Sequence, residues 1–234
     1  MLGSVRVAAL VCASCMLAPA AHSAAPRPVK LPAFPAGGQI AVSTTIVRAQ
    51  PTDAARRVTV LHQFRSDFRA QYVLAVAGRR DVRGVLWVKL RLQLRPNGQF
   101  GWIRASEVRL STMHDKLVVH RGQRKIDVIH DGKVVVEAPV AIGAPGRETP
   151  LGNYYVTARF VPDDPFLGSY AVETSAYSKL TEWPGGGLVG IHGTSAPQLL
   201  GQAVSHGCVR VSNATAILLR RYAPLGTPIS IVPD

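Results

Sequence analysis

The segment Ser205-His206-Gly207-Cys208-Val209-Arg210, with Ile191-His192-Gly193-Thr194 upstream, gathers a thiol, two imidazoles and a guanidinium into two short glycine-punctuated stretches. Cys208 is the one cysteine beyond an apolar N-terminal leader that holds Cys12 and Cys15. In an exported chain such a thiol has no intramolecular disulfide partner, which leaves a nucleophile or a metal ligand as its functional uses. An unperturbed thiol titrates at about 8.5, so at neutral pH it needs a cationic or hydrogen-bonding neighbour in order to react. His192 and His206 supply candidates. Gly207 lets the backbone turn sharply, so that the Gly207 and Cys208 N–H groups can converge on one oxygen, as acyl transfer requires. Arg210 shares a face with Cys208 if the segment is extended, where it could lower the thiol pKa or bind an anionic substrate group. Singly, these residues read as an inert buried thiol, a satisfied core histidine and a surface charge. Together they point to a reactive centre. A zinc site from His192, His206 and Cys208 is the rival use of the same side chains, without a CxxC or HxxxH pair to preorganise it.

The elements that must position these groups are mostly strands. Residues 1–23 read as a signal peptide: Arg6 gives the positive start, Val7 to Leu17 the apolar run, and Ala21-His22-Ser23-Ala24 the small residues of a cleavage site. The run is shorter than the ~20 residues that a bilayer span needs, so no transmembrane segment is expected in the mature form. Acylation of Cys15 is the weaker alternative. Pro26, Pro28, Pro32 and Pro35 make 24–39 a Pro/Ala-rich linker. From 40 to 110, short β-prone runs at Ile40-Val42, Val58-Leu61, Tyr72-Val76, Val85-Leu90 and Phe100-Ile103, broken by turns such as Pro96-Asn97-Gly98, predict a small all-β barrel. Trp87 and Trp102 either fill its core or stack on a ligand.

From 115 to 234 the expectation is again β: Lys116-His120, Lys125-His130 and Lys133-Glu137, with Asp131-Gly132 as a hairpin turn, then strands near 138–143, 153–160, 188–192 and 228–232. Ala214 to Tyr222 is the helical patch, with Ser212 or Asn213 to cap it. The net charge of +13 falls to +12 without Arg6, and its basic residues sit in scattered pairs. This suits either plain solubility or contact with an anionic surface.

Residues 40–110 resemble a bacterial SH3-like domain at Val47-Arg48-Ala49-Gln50-Pro51, Trp87-Val88-Lys89-Leu90 and Gly101-Trp102-Ile103-Arg104-Ala105. That likeness implies a wall-binding or positioning module. From about Asp115 to Val232 the chain resembles the L,D-transpeptidase catalytic domain of YkuD type. The likeness is carried by His192-Gly193-Thr194, the twelve residues between His192 and Ser205, and Ser205 to Arg210, with Ala141-Ile142-Gly143, Thr149-Pro150-Leu151-Gly152 and Tyr154 or Tyr155 in support. Some members carry asparagine in place of Arg210.

The resemblance implies a β-sandwich-like catalytic fold with one or two short helices, following the SH3-like barrel. It also implies an enzyme of the cell wall or periplasm that needs neither metal nor organic cofactor and acts on peptidoglycan stem peptides. In that reading Cys208 attacks the carbonyl of the third stem residue, His192 is the general base and Gly193 orients the imidazole. Gly207 and Cys208 form the oxyanion hole, and Ser205, His206 and Arg210 support the site or bind substrate. Anionic wall polymers are possible further partners and nucleic acid is not expected. An L,D-carboxypeptidase on the same site and a non-catalytic wall-binding protein are the alternatives.

Overall fold

The computed structural model describes residues 30–182 and 185–234. The expected leader and the first part of the linker lie outside the described residues, as does Trp183. The N-terminal sheet contains β1 (Ala36–Ile40), β2 (Thr44–Arg48), β3 (Arg57–His62), β4 (Tyr72–Arg80), β5 (Leu86–Arg91), β6 (Phe100–Arg104) and β7 (Val108–Thr112). Their spatial order is β3-β2-β6-β5-β4-β1-β7. Inward residues of successive strands, including Ile40, Val47, Val88, Leu90 and Ile103, form one core, as period-2 alternation in half-buried strands dictates. Trp87 is buried as well, at 1% exposure, but outside this cluster, and its indole N–H donates to Asp81 at 3.1 Å. Its place is therefore the interior and not a stacking platform.

The linker expected over 24–39 ends earlier than its composition suggested. Ala36 to Gln39 pair with β4 on one side and β7 on the other. Pro35 sits just ahead of the strand, where its missing N–H costs no ladder bond. Gly38 is needed for the close pairing, since a Cβ there would lie 2.2 Å from the Arg109 carbonyl oxygen.

The second body carries β8 (Asp115–His120), β9 (Lys125–His130), β10 (Lys133–Pro139), β11 (Ile142–Gly143), β12 (Gly152–Phe160), β13 (Ala171–Tyr177), β14 (Leu188–His192), β15 (Ala203–Ser205), β16 (Val209–Arg210), helix α1 (Asn213–Tyr222) and β17 (Pro228–Val232). Eight of these strands form one sheet in the order β10-β9-β8-β17-β12-β13-β14-β16, while β11 pairs with β15. The β9–β10 turn uses Asp131 and Gly132 at φ 46° and 76°, the left-handed pair that a tight hairpin selects. α1 is the one α-helix among the described residues. The Ser212 hydroxyl caps it by accepting from the Thr215 amide at 3.1 Å, and it buries Ala216 and Leu219 in the core beneath the sheet. The chain is thus mainly β, with short 3-10 turns at Pro165–Leu167 and Pro197–Leu199 beside the helix. No helix among the described residues is long and apolar enough to cross a membrane.

Candidate active site

Strands β14 and β16 run side by side in parallel, pairing Ile191 with Val209 and His192 with Arg210. That register brings together the two glycine-punctuated segments. The Gly190 amide donates to Cys208 Sγ at 3.4 Å. Cys208 and His192 line one cavity of about 310 Å³, walled by Phe160, Phe166, Leu167, Glu173 and Leu188. Phe166 and Leu167 belong to the 3-10 turn after β12.

His192 is 3% exposed. Its Nδ1 lies 2.6 Å from the Gly193 carbonyl oxygen. A carbonyl can only accept, so Nδ1 carries the proton and Nε2 is left as the basic nitrogen. Burial holds the imidazole pKa below its ordinary value and the Arg210 charge adds to this, while the Gly193 and Leu167 backbone groups oppose it. Burial likewise pushes the Cys208 thiol up, against the Gly190 amide and Arg210. Both effects favour a neutral thiol beside a neutral imidazole over a preformed ion pair. Arg210 does act on the thiol in the expected direction, but desolvation outweighs it.

The loop that carries Cys208 is held by Ser205 from within and by Thr149 from outside. Ser205 Oγ accepts from the Gly207 amide at 3.1 Å and donates to the Cys208 carbonyl at 2.5 Å. Thr149 Oγ1 donates to the Gly207 carbonyl and accepts from the Gly143 amide, each at 2.9 Å. Gly207 itself takes φ 117°, a conformation open to glycine and strained for other residues. The expectation that the Gly207 and Cys208 amides together face an oxyanion is therefore altered. The Gly207 N–H is engaged by Ser205, and the Cys208 N–H is the member of the pair without a hydrogen-bond acceptor among the described residues.

Arg210 is only 6% exposed and so is no surface charge. Its guanidinium lies 4.6 Å from the Phe166 ring centroid, and its Nε is buried without a partner. His206 is half-buried and is not among the cavity's lining residues. Desolvation, with the nearby charges of Arg147 and Arg210, lowers its pKa. His192, His206 and Cys208 do not come together as a ligand set, and no group of three or more His, Cys, Asp or Glu among the described residues could hold a metal ion.

Asn213 is a supporting residue that the sequence suggested only as a helix cap. Its Oδ1 accepts from the Ser169 and Thr194 amides at 3.0 and 3.2 Å, tying the residues after His192 to the start of α1. Gly193 admits this contact, because a Cβ there would lie 2.2 Å from that oxygen. Nothing local in the sequence signals a bond that joins three separate segments.

A buried imidazole with a fixed tautomer and a desolvated thiol at the same cavity equip this fold for acyl transfer through cysteine. The chain belongs to the YkuD family, the L,D-transpeptidase catalytic domain, whose profile matches residues 114–231, and this family uses a cysteine nucleophile in acyl transfer. YkuD of Bacillus subtilis (strain 168), assigned as an L,D-transpeptidase, is 29% identical over 147 residues, covering 60% of this chain and 83% of that protein. YbiS of Escherichia coli (strain K12), likewise assigned, is 26% identical over 153 residues, covering 53% of this chain and 46% of that protein. The crystal structure of an L,D-transpeptidase from Mycobacterium tuberculosis H37Rv aligns with a TM-score of 0.46 at 18% identity, covering 69% of this chain and 90% of that one.

Proposed function

We propose that this protein is an exported L,D-transpeptidase that cross-links the third residues of peptidoglycan stem peptides through a Cys208 thioester. The observation that carries this reading is the shared cavity of Cys208 and His192, with the imidazole proton fixed on Nδ1 by Gly193. In the acylation step Sγ bonds to the carbonyl carbon of the third stem residue and its proton passes to His192 Nε2. The developing oxyanion is stabilised by the Cys208 amide. Collapse breaks the C–N bond, His192 returns the proton to the departing D-alanine amine, and a thioester remains. The side-chain amine of a second stem then attacks, His192 takes its proton, and the thiol is regenerated as the new amide forms. The neutral pair suits this sequence, because the base needs an open lone pair at Nε2 when substrate arrives.

The leader supports export, and the N-terminal body supports a positioning role. Residues 36–112, which we read as the SH3-like module, carry thirteen Lys and Arg against four Asp and Glu, whereas residues 113–234 carry eleven against ten. The net positive charge therefore resides largely on the N-terminal body, which fits contact with anionic wall polymers.

Mass spectrometry of muropeptides after incubation with tetrapeptide stems tests the reading. Cross-linked dimers that vanish with Cys208→Ala are expected, since that change removes the covalent route. Tripeptide products without dimers would make the enzyme a carboxypeptidase on the same site. Stems left intact by a folded protein would sink the proposal.

A further inference from the structure

The Pro96-Asn97-Gly98 turn between β5 and β6 reaches out of the N-terminal sheet to the connection between β13 and β14, which borders the cavity at Gly185. Arg95 donates to three backbone carbonyls of the β13–β14 connection: Ser178 at 2.8 Å, Leu180 at 3.1 Å and Gly186 at 2.8 Å. Its guanidinium also lies 4.5 Å from the Tyr177 ring centroid. Asn97 completes the grip, its amide donating to the Tyr177 carbonyl at 2.7 Å and accepting from the Tyr177 N–H at 3.0 Å. The gripped carbonyls lie near both ends of the connection, whose base is closed by the Ser178 amide bonded to the Gly187 carbonyl at 2.8 Å.

One end of this connection borders the cavity at Gly185 and runs directly into β14, and the other end packs on the loop that carries Cys208. Gly185, Leu188 and Gly190 line the cavity that holds Cys208 and His192. Gly190 gives the thiol its N–H donor. Ser178 packs against the nucleophile loop so closely that a Cβ on Gly207 would lie 2.9 Å from its own. A second reach from the same sheet meets β13 beside Gly190, where Arg65 donates to the cavity-lining Glu173 at 2.9 Å and Thr157 Oγ1 donates to the same carboxylate oxygen at 2.7 Å.

We propose that Arg95, seconded by Asn97, is a positioning residue for the substrate cleft, so that the N-terminal body braces the active-site wall from behind as well as carrying the enzyme to its polymer. One planar guanidinium serves three carbonyls and stacks on a ring, which a lysine ammonium cannot reproduce. A grip on the cleft wall acts on how a substrate chain is bound, which is read in KM.

The test compares Arg95→Ala, Arg95→Lys and Asn97→Ala in the full chain. It rests on the stem-peptide reading only for its kinetic arm. Amide hydrogen exchange at Ser178 and Leu188 reads the grip without substrate and should accelerate in Arg95→Ala. KM for a tetrapeptide stem should rise about tenfold with kcat changed less than about threefold, the pattern of lost binding without lost transition-state chemistry. Cys208 alkylation by iodoacetamide should stay within about twofold of the unmodified chain, because a small reagent does not read the wall. Arg95→Lys should fall between the two. Unchanged exchange and KM in Arg95→Ala would overturn the proposal, as would a kcat that falls in step with alkylation. If Arg95→Ala fails to fold, Asn97→Ala takes its place, and the same results support or overturn the grip. A wild-type chain inert on stems would remove the proposed function while leaving the exchange result to judge the grip.

Discussion

Gly190 and Cys208 meet across two parallel strands, the Gly190 amide directed at Sγ at 3.4 Å and His192 following two residues later on the same strand. The hydrogen bond favours the thiolate, yet burial keeps the thiol pKa above its ordinary value. Burial thus favours the protonated thiol, and in the proposed function its activation falls to His192.

The pH dependence follows from that arrangement. His192 is depressed below the ordinary imidazole value of 6.5, so it stays neutral and basic into mildly acidic solution and is protonated only below its shifted pKa. The acid limb of kcat/KM for stem acylation should then fall below about pH 6.5. His192→Ala should slow acylation about 10²–10⁴-fold, as loss of a general base does, while His206→Ala does less. A single-turnover acylation series against pH checks both. Greater damage from His206→Ala would exchange the two roles.

A carbapenem should acylate Cys208, because its strained β-lactam carbonyl can occupy the place of the stem carbonyl before the thiol. Intact-mass analysis should find one adduct per chain and none in Cys208→Ala. Absence of an adduct from a preparation that cross-links stems would rule out the proposed approach to Sγ.

Gly207→Ala should disturb fold and site together. An alanine would hold φ 117° and place its Cβ 2.9 Å from Ser178 Cβ, a backbone strain worth about 1–3 kcal/mol. Thermal unfolding should shift down, and Cys208 acylation should slow as the loop twists away from Ser205 and Thr149. An unchanged melting temperature would mean that the turn tolerates a side chain.

Wall binding should be largely electrostatic and therefore salt-sensitive. Pelleting of the full chain with purified peptidoglycan should weaken as ionic strength rises, since charges beyond a Debye length of about 8 Å at physiological salt are largely screened. Arg79→Glu with Arg80→Glu, on the exposed end of β4, should weaken pelleting at low salt. Sedimentation that ignores both changes would place the wall contact elsewhere.

The chemistry of this chain was legible because its reactive residues are packed into two short segments whose types are uncommon together. The β9–β10 hairpin and β17 were legible for a local reason as well, resting on a turn dipeptide and an alternating run. β1 was hidden by its own two glycines and by the prolines ahead of it, and β13 by a run holding polar Glu173, Thr174 and Ser175, of which Thr174 and Ser175 are buried. The bonds from Thr149 to the Gly207 carbonyl and from Arg95 to Ser178 depend on tertiary placement, across 58 and 83 positions. Periodicity carries no signal for contacts of that span.

The strand that comes last among the described residues is central. β17 lies between β8, which it joins in parallel, and β12, which it joins antiparallel, so the catalytic sheet consists of two separate leaves until residues 228–232 arrive. A chain growing from the ribosome can therefore form the β8–β10 leaf and the β12–β14 leaf but cannot weld them. Each leaf meanwhile presents an unpaired edge, which invites pairing with other chains. A message cut short before Pro228 should yield an aggregation-prone fragment, even though every residue of the thiol's own cavity has already been translated.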